Sequence, residues 1–273
     1  MKIRQLITLL MLLFVSQAAH SEMFANPGTQ VGYKNLFVGI EYSTLSQVYD
    51  IDTLDLTTQS ERVTVKVTTG LSDWFDLYFR AGGASLTMDY KENNYVYQTS
   101  SGSSTWGNAS KNFDSDFVPG FGAGIRMRLM NFENARTRVF FQGSGFFIKA
   151  DDTIQWDLDD GSMMTKNREI KWADFNAGLG MVKRMDYIDF TFGIGFSEIW
   201  WEITDENRQE IGTATVRNQV PSRDSFEMNN PVYGFVGIDF VLPLEYRLSL
   251  MAGVKNSDEA EFSVSLSQGL DRD

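Results

Sequence analysis

Phe117-Val118-Pro119-Gly120-Phe121-Gly122-Ala123-Gly124-Ile125-Arg126-Met127-Arg128-Leu129 alternates with period two. Phe117, Pro119, Phe121, Ala123, Ile125, Met127 and Leu129 fall on one side, and Val118, Gly120, Gly122, Gly124, Arg126 and Arg128 on the other. Successive side chains of a β-strand point to opposite faces. This stretch is therefore a strand with an oily face and a face of glycine and arginine. A soluble sandwich buries its oily face and solvates its charges. Long strands of this kind behind an export signal point to the reverse arrangement, a barrel with lipid outside and polar groups inside.

Working outward, the same alternation recurs about ten times, which predicts strands at 34–47, 59–71, 74–89, 115–130, 136–150, 168–183, 187–202, 230–242, 245–255 and 260–269. Oily faces are read off directly, for example Val63, Val65, Val67 and Leu71 in the second strand and Ile188, Phe190, Phe192, Ile194 and Phe196 in the seventh. The fifth strand is less regular. Phe140, Phe141, Phe146, Phe147 and Ile148 put apolar groups on both faces, and either a bulge or a partly apolar interior accounts for that. The expected fold is all-β, a closed antiparallel up-and-down transmembrane barrel of ten strands. Eight or twelve are open if the fifth strand or the long loops are misread.

Connections alternate in length. Short ones fall at Ser72-Asp73, Asn131 to Ala135, Arg184 to Asp186 and Pro243-Leu244, and long ones at 48–58, 90–114, 151–167 and 203–229. Outer-membrane barrels have short periplasmic turns and long outer loops. That ordering puts both termini in the periplasm, the long loops outside the cell, and an even number of strands between them. Trp74, Tyr187 and Tyr246 lie by the short turns; Tyr90, Trp172, Trp200 and Trp201 lie towards the long loops. Rings with one apolar and one hydrogen-bonding end favour membrane–water boundaries, so these two clusters at opposite strand ends read as two aromatic girdles.

The N-terminus has the form of a secretory signal: Lys2 and Arg4, then an apolar run from Ile7 to Val15 broken only by Thr8, then Ala18, Ala19 and Ser21. The run is shorter than the roughly 20 residues of a spanning helix. The expected organisation is a signal peptide at 1–21 and one barrel domain at 22–273. Without the signal the chain carries 22 basic and 36 acidic residues, a net charge of −14. Such a balance disfavours nucleic acid as a partner. There is no cysteine, and the one histidine, His20, lies in the signal. Thiolate chemistry, imidazole bases and the common zinc ligands are thus missing together, and no cofactor or metal is expected.

Gly70-Leu71-Ser72-Asp73-Trp74-Phe75-Asp76-Leu77-Tyr78-Phe79-Arg80-Ala81-Gly82 resembles the strand–turn–strand unit of small bacterial outer-membrane β-barrels of the OmpA-like and OmpW-like kind. Gly32 to Tyr42 and Phe117 to Arg128 are similar to other strands of those proteins. The resemblance covers nearly all of 22–273 as a pattern. It implies a bilayer of outer-membrane lipid and lipopolysaccharide around the barrel and insertion by the barrel assembly machinery. This chain departs from the pattern at the end of its last strand, where Leu270-Asp271-Arg272-Asp273 stands in place of a terminal aromatic.

The inward faces are expected to carry Glu41, Arg62, Lys66, Asp76, Arg80, Arg126, Arg128, Asp174, Asp189, Asp239, Arg247 and Glu261. Charges at membrane depth must pair or meet water. They form either an ion-pair network that plugs the lumen or the lining of a narrow solute pore. Inward glycines at 120, 122, 124, 178, 180, 193 and 195 either leave room in the lumen or let the strands coil. Acidic 151–167 fails the EF-hand spacing: counted from Asp157, Gly161 stands at position five and Arg168 at position twelve. The 90–114 loop, with Tyr95, Tyr97 and Trp106, has the composition of a loop that meets a ligand or partner protein.

The function expected is therefore a non-enzymatic outer-membrane barrel, structural with binding loops or a narrow pore. Two other classes compete. A barrel-rim hydrolase would have to work from aspartates such as Asp151, Asp152, Asp157 and Asp224 without histidine. A secreted β-sandwich binding protein would need neither strands this long nor aromatics at both strand ends.

Overall fold

A computed structural model describes residues 35–51, 54–89, 91–98, 104–110, 112–157, 163–211, 214–218, 223–226, 232–254 and 260–270. The signal segment, His20 and Tyr90 lie outside the described residues. Ten long strands run in chain order: β1 (Leu36–Ile51), β2 (Leu54–Ser72), β3 (Phe75–Asp89), β4 (Val118–Phe132), β5 (Thr137–Asp157), β6 (Met163–Arg184), β7 (Ile188–Ile211), β8 (Val232–Val241), β9 (Tyr246–Val254) and β10 (Ala260–Leu270). Each pairs antiparallel with its neighbours in sequence, and β1 pairs with β10 from Leu36↔Leu270 to Leu45↔Glu261, closing the sheet. Closure satisfies every strand edge from within the chain, as a bilayer demands. Ten strands, up-and-down and all antiparallel, is the architecture the alternation predicts.

The faces follow the alternation too. Ile40, Val65, Phe79, Phe121, Phe175, Ile194 and Val236 lie on the outside of seven different strands, each at least half exposed. Apolar exposure on that scale, continued around the whole barrel, exceeds the patches a water-soluble surface carries. The band matches the lipid-facing belt of a transmembrane barrel.

Beyond the belt the strands do not stop. The segments 48–58, 151–167 and 203–229, expected as long loops, are largely strand. β1 continues to Ile51, β5 to Asp157 and β7 to Ile211, and the segments 214–218 and 223–226 pair back onto β7. Within 90–114, residues 91–98 and 104–110 form a separate two-stranded ribbon. The reason is hydrogen bonding: once two antiparallel strands are in register, a polar sequence keeps its ladder as readily as an apolar one. The β5–β6 ladder runs unbroken from Thr137↔Lys183 to Asp157↔Met163.

At the other end the turns are short. One of them, Pro243-Leu244-Glu245, holds Leu244 and Glu245 at φ of 61° and 60°, the left-handed region that favours glycine and asparagine. On β4 a bulge between Arg128 and Met130 shifts the register. It leaves both Leu129 and Met130 exposed and keeps Phe132 on the lipid side. The irregular fifth strand is explained by an apolar interior: Phe140, Phe146 and Ile148 are buried in the lumen, while Phe141 and Phe147 face out between them.

Candidate functional site

The lumen gathers many of the buried polar groups among the described residues, and it is built in layers. In the middle, Glu41 on β1 accepts hydrogen bonds from Lys66 Nζ on β2 (2.7 Å) and Arg80 Nη1 on β3 (3.1 Å). Arg126 on β4 donates Nε and Nη2 to Asp76 Oδ2 on β3, at 3.1 and 2.9 Å. Arg62 on β2 donates Nη1 to Asp174 Oδ2 on β6 at 2.6 Å. These two strands stand nearly opposite in the ring, so this ion pair crosses the lumen. The Arg62 guanidinium also lies 4.5 Å over the Phe146 ring. A charge-assisted bond with both partners almost fully buried locks position, because removing either partner strands the other in a dry interior.

Towards the long-loop end the lumen turns apolar. Leu45, Leu86, Met88, Ile148, Ile170, Trp172, Ile199 and Trp201 belong to one buried cluster that draws on β1, β3, β5, β6 and β7. Trp172 and Trp201 meet edge-to-face at its centre, 5.9 Å between ring centroids, and neither has any exposed surface. This corrects the girdle expectation. Trp74, Tyr187 and Trp200 are exposed at the barrel ends, but Trp172 and Trp201 point inward. Trp200 and Trp201 are consecutive, so only one can face lipid, and Trp172 shares the inward parity of Asp174. Below the ionic layer a second cluster, Phe140, Val182, Tyr233, Phe235 and Met251, draws on β5, β6, β8 and β9.

The inward glycines do not leave open room. In the sheet register Gly124 stands opposite Tyr78, Gly122 opposite Phe146, Gly180 opposite Phe140, Gly193 opposite Phe235 and Gly195 opposite Tyr233. A Cβ on Gly120 would come 2.6 Å from Phe146 Cζ, and one on Gly180 2.5 Å from Phe140 Cζ. Each aromatic ring folds over the glycine of the next strand, so the vacated volume is refilled.

At the short-turn end the arrangement is looser. Asp189 and Asp239 are directly opposite on β7 and β8, both buried. Asp189 lies 3.5 Å from Arg184 Nε and 3.7 Å from Arg247 Nη1. Neither distance is a hydrogen bond. Arg128 is inward and half-buried, close enough to Arg138 for their charges to interact. Glu261 is in β10, but its side chain lies outside the described residues.

Of the twelve charges expected inside, seven thus form the central layer and four lie at the short-turn mouth. Sequence reasoning missed Arg138 and Arg184, which join that mouth, because the fifth strand had no assigned parity and Arg184 was read as turn. It also missed a third group in the strand extensions. Arg168 Nε and Nη2 bond Asp205 Oδ1 and Oδ2, both at 2.7 Å, and Lys166 adds a contact of 3.0 Å. Of the rim aspartates, Asp152 accepts the Asp114 backbone N–H at 3.0 Å, a structural role. The side chains of Asp157 and Asp224 lie outside the described residues.

The fold and its lipid-facing belt define an integral β-barrel membrane protein of the outer-membrane type. No protein-family model matches the chain, and no curated protein does. Among solved structures it is similar to the translocator domain of the autotransporter NalP from Neisseria meningitidis, at 10% identity and TM-score 0.47, over 90% of this chain and 91% of that one. It is also similar to Ail, the attachment invasion locus protein of Yersinia pestis, at 10% identity and TM-score 0.32, over 86% and 97%. An outer-membrane channel from Pseudomonas putida matches at 9% identity and TM-score 0.34, over 91% and 100%. At these identities and TM-scores, the function of this chain has to come from its own residues.

Proposed function

We propose that this chain is a non-enzymatic protein of a bacterial outer membrane, a closed barrel that anchors its long-loop ribbons rather than conducting solute. The observation that carries the reading is the Arg62–Asp174 bond across the lumen, stacked beneath the Trp172–Trp201 cluster. Ionic and apolar layers in series would interrupt a water column through the barrel. The charges of the central layer act as cross-braces, each within reach of a partner, as burial requires.

In this reading residues 1–21 are removed on export and the barrel assembly machinery inserts the rest into a bilayer faced by lipopolysaccharide. The short turns and both termini lie in the periplasm, following the loop-length rule. The ribbon 91–110, with Tyr95, Tyr97 and Trp106, is exposed outside the cell for a ligand or partner protein.

Planar-bilayer recording tests closure: the purified protein is expected to give no resolvable conductance at any salt, and a stable open level would overturn the reading in favour of a narrow pore. The cysteine-free sequence makes orientation equally direct. A Ser103→Cys variant should react with an impermeant maleimide on intact cells, and Asp73→Cys only after the outer membrane is permeabilised. The opposite pattern would invert the topology.

A further inference from the structure

The short-turn mouth opens into a cavity of about 510 Å³ walled by Arg136, Arg138, Arg184 and Arg247 and by Glu133, Asp186 and Asp189. That volume lies within the roughly 300–1,000 Å³ of small-ligand sites. Arg136 and Asp186 are spent on each other, in an exposed pair at 2.8 Å. The remaining guanidiniums are held more loosely: Arg184 and Arg247 share Asp189 in long ion pairs, and Arg247 also lies 6.0 Å over the Phe37 ring. Arg184 and Arg247 approach Asp189 only at 3.5 and 3.7 Å, and Arg247 Nη1 is buried with no hydrogen-bond partner. Arg138 makes no hydrogen bond or ion pair among the described residues, while the charges of Arg184, Arg128 and Arg247 bear on it. Three inward arginines, Arg138, Arg184 and Arg247, therefore line one opening. The acids that face them are Glu133 on the turn and Asp189 and Asp239 on the β7–β8 wall. Like charges crowd together only where something compensates them, and the planar fork of arginine suits a tetrahedral oxyanion better than any other cation does.

We propose that this mouth binds a phosphate group, gripped by Arg138 with Arg184 and Arg247. The site is independent of whether the barrel conducts. Free phosphate and the phosphate of a lipid headgroup present the same chemistry, and the two are separable.

Thermal unfolding of the barrel in a phosphate-free detergent is followed while inorganic phosphate is titrated against chloride at matched ionic strength. A saturable, phosphate-specific rise in midpoint is expected, since a ligand that binds only the folded state stabilises it. Arg138→Gln should weaken the apparent affinity at least about tenfold, the loss of one charge-assisted contact. Arg138→Lys, which keeps the charge but not the fork, should fall between. Should Arg138→Gln lose its heat-modifiable migration and so not fold, Arg184→Gln, on another strand, replaces it. A rise seen only with a short-chain phosphatidic acid would make a lipid headgroup the source. No saturable rise with either probe, or equal binding by the variants and the parent chain, would overturn the proposal.

Discussion

A methyl group on Gly193 would press on the Leu179 carbonyl oxygen and on the Phe235 ring at once. One of those neighbours is backbone and the other a rigid ring, so neither yields cheaply. Gly193→Ala should cost about 1–3 kcal/mol, the usual penalty of overpacking, read as a lower midpoint of thermal or urea unfolding. An unchanged midpoint would mean that the ring is not seated on the glycine. The glycine–aromatic pairs were half legible. The parity that put Gly193 and Gly195 inside also put Tyr233 and Phe235 inside, since Val232, Val236, Ile238 and Phe240 hold the outer face of the same strand. What parity does not supply is the cross-strand register that sets each ring on its glycine.

Among the elements, the extensions of β5, β6 and β7 were the least visible. Their sequence is polar on both faces, so periodicity marks them as loop, and only the continued ladder makes them strand. Their clamp is Arg168–Asp205. Burial raises the Asp205 carboxyl, but its hydrogen bonds to Arg168 and the charges of Arg168 and Lys166 outweigh that and hold it below the ordinary carboxylate value. A carboxyl held low in the folded chain stabilises it above its unfolded value and loses that contribution as pH falls through the lowered one. The extensions of β6 and β7 that this clamp joins should therefore resist protease at neutral pH and become labile in acid before the barrel does. Arg168→Ala should cost this region about 1.5–3 kcal/mol by removing two charge-assisted hydrogen bonds and leaving Lys166 alone on the buried Asp205, and limited proteolysis at neutral pH should cut between 157 and 211. At the short-turn end, Glu245→Gly should stabilise the β8–β9 hairpin by up to about 1 kcal/mol, because glycine holds a φ of 60° without strain.

For the whole molecule, the proposed closure is a matter of layers in series, so no single substitution should open it. Truncating Trp172 and Trp201 to alanine leaves the Arg62–Asp174 bar in place. Adding Arg62→Ala removes it, and only the triple variant is expected to conduct in a planar bilayer. Conductance from the tryptophan variant alone would mean that the ionic layer is not a seal. The sequence by itself determined the alternating strands, their lipid-facing sides and the short turns, because a period of two is a local property that the pleat converts directly into inside and outside. Which charges meet, that glycine gaps are refilled by rings from the next strand, and that two girdle candidates instead belong to a buried luminal cluster were decided only by the tertiary structure. Those contacts join residues up to 112 positions apart, and only the closing of the sheet into a ring brings β2 across from β6.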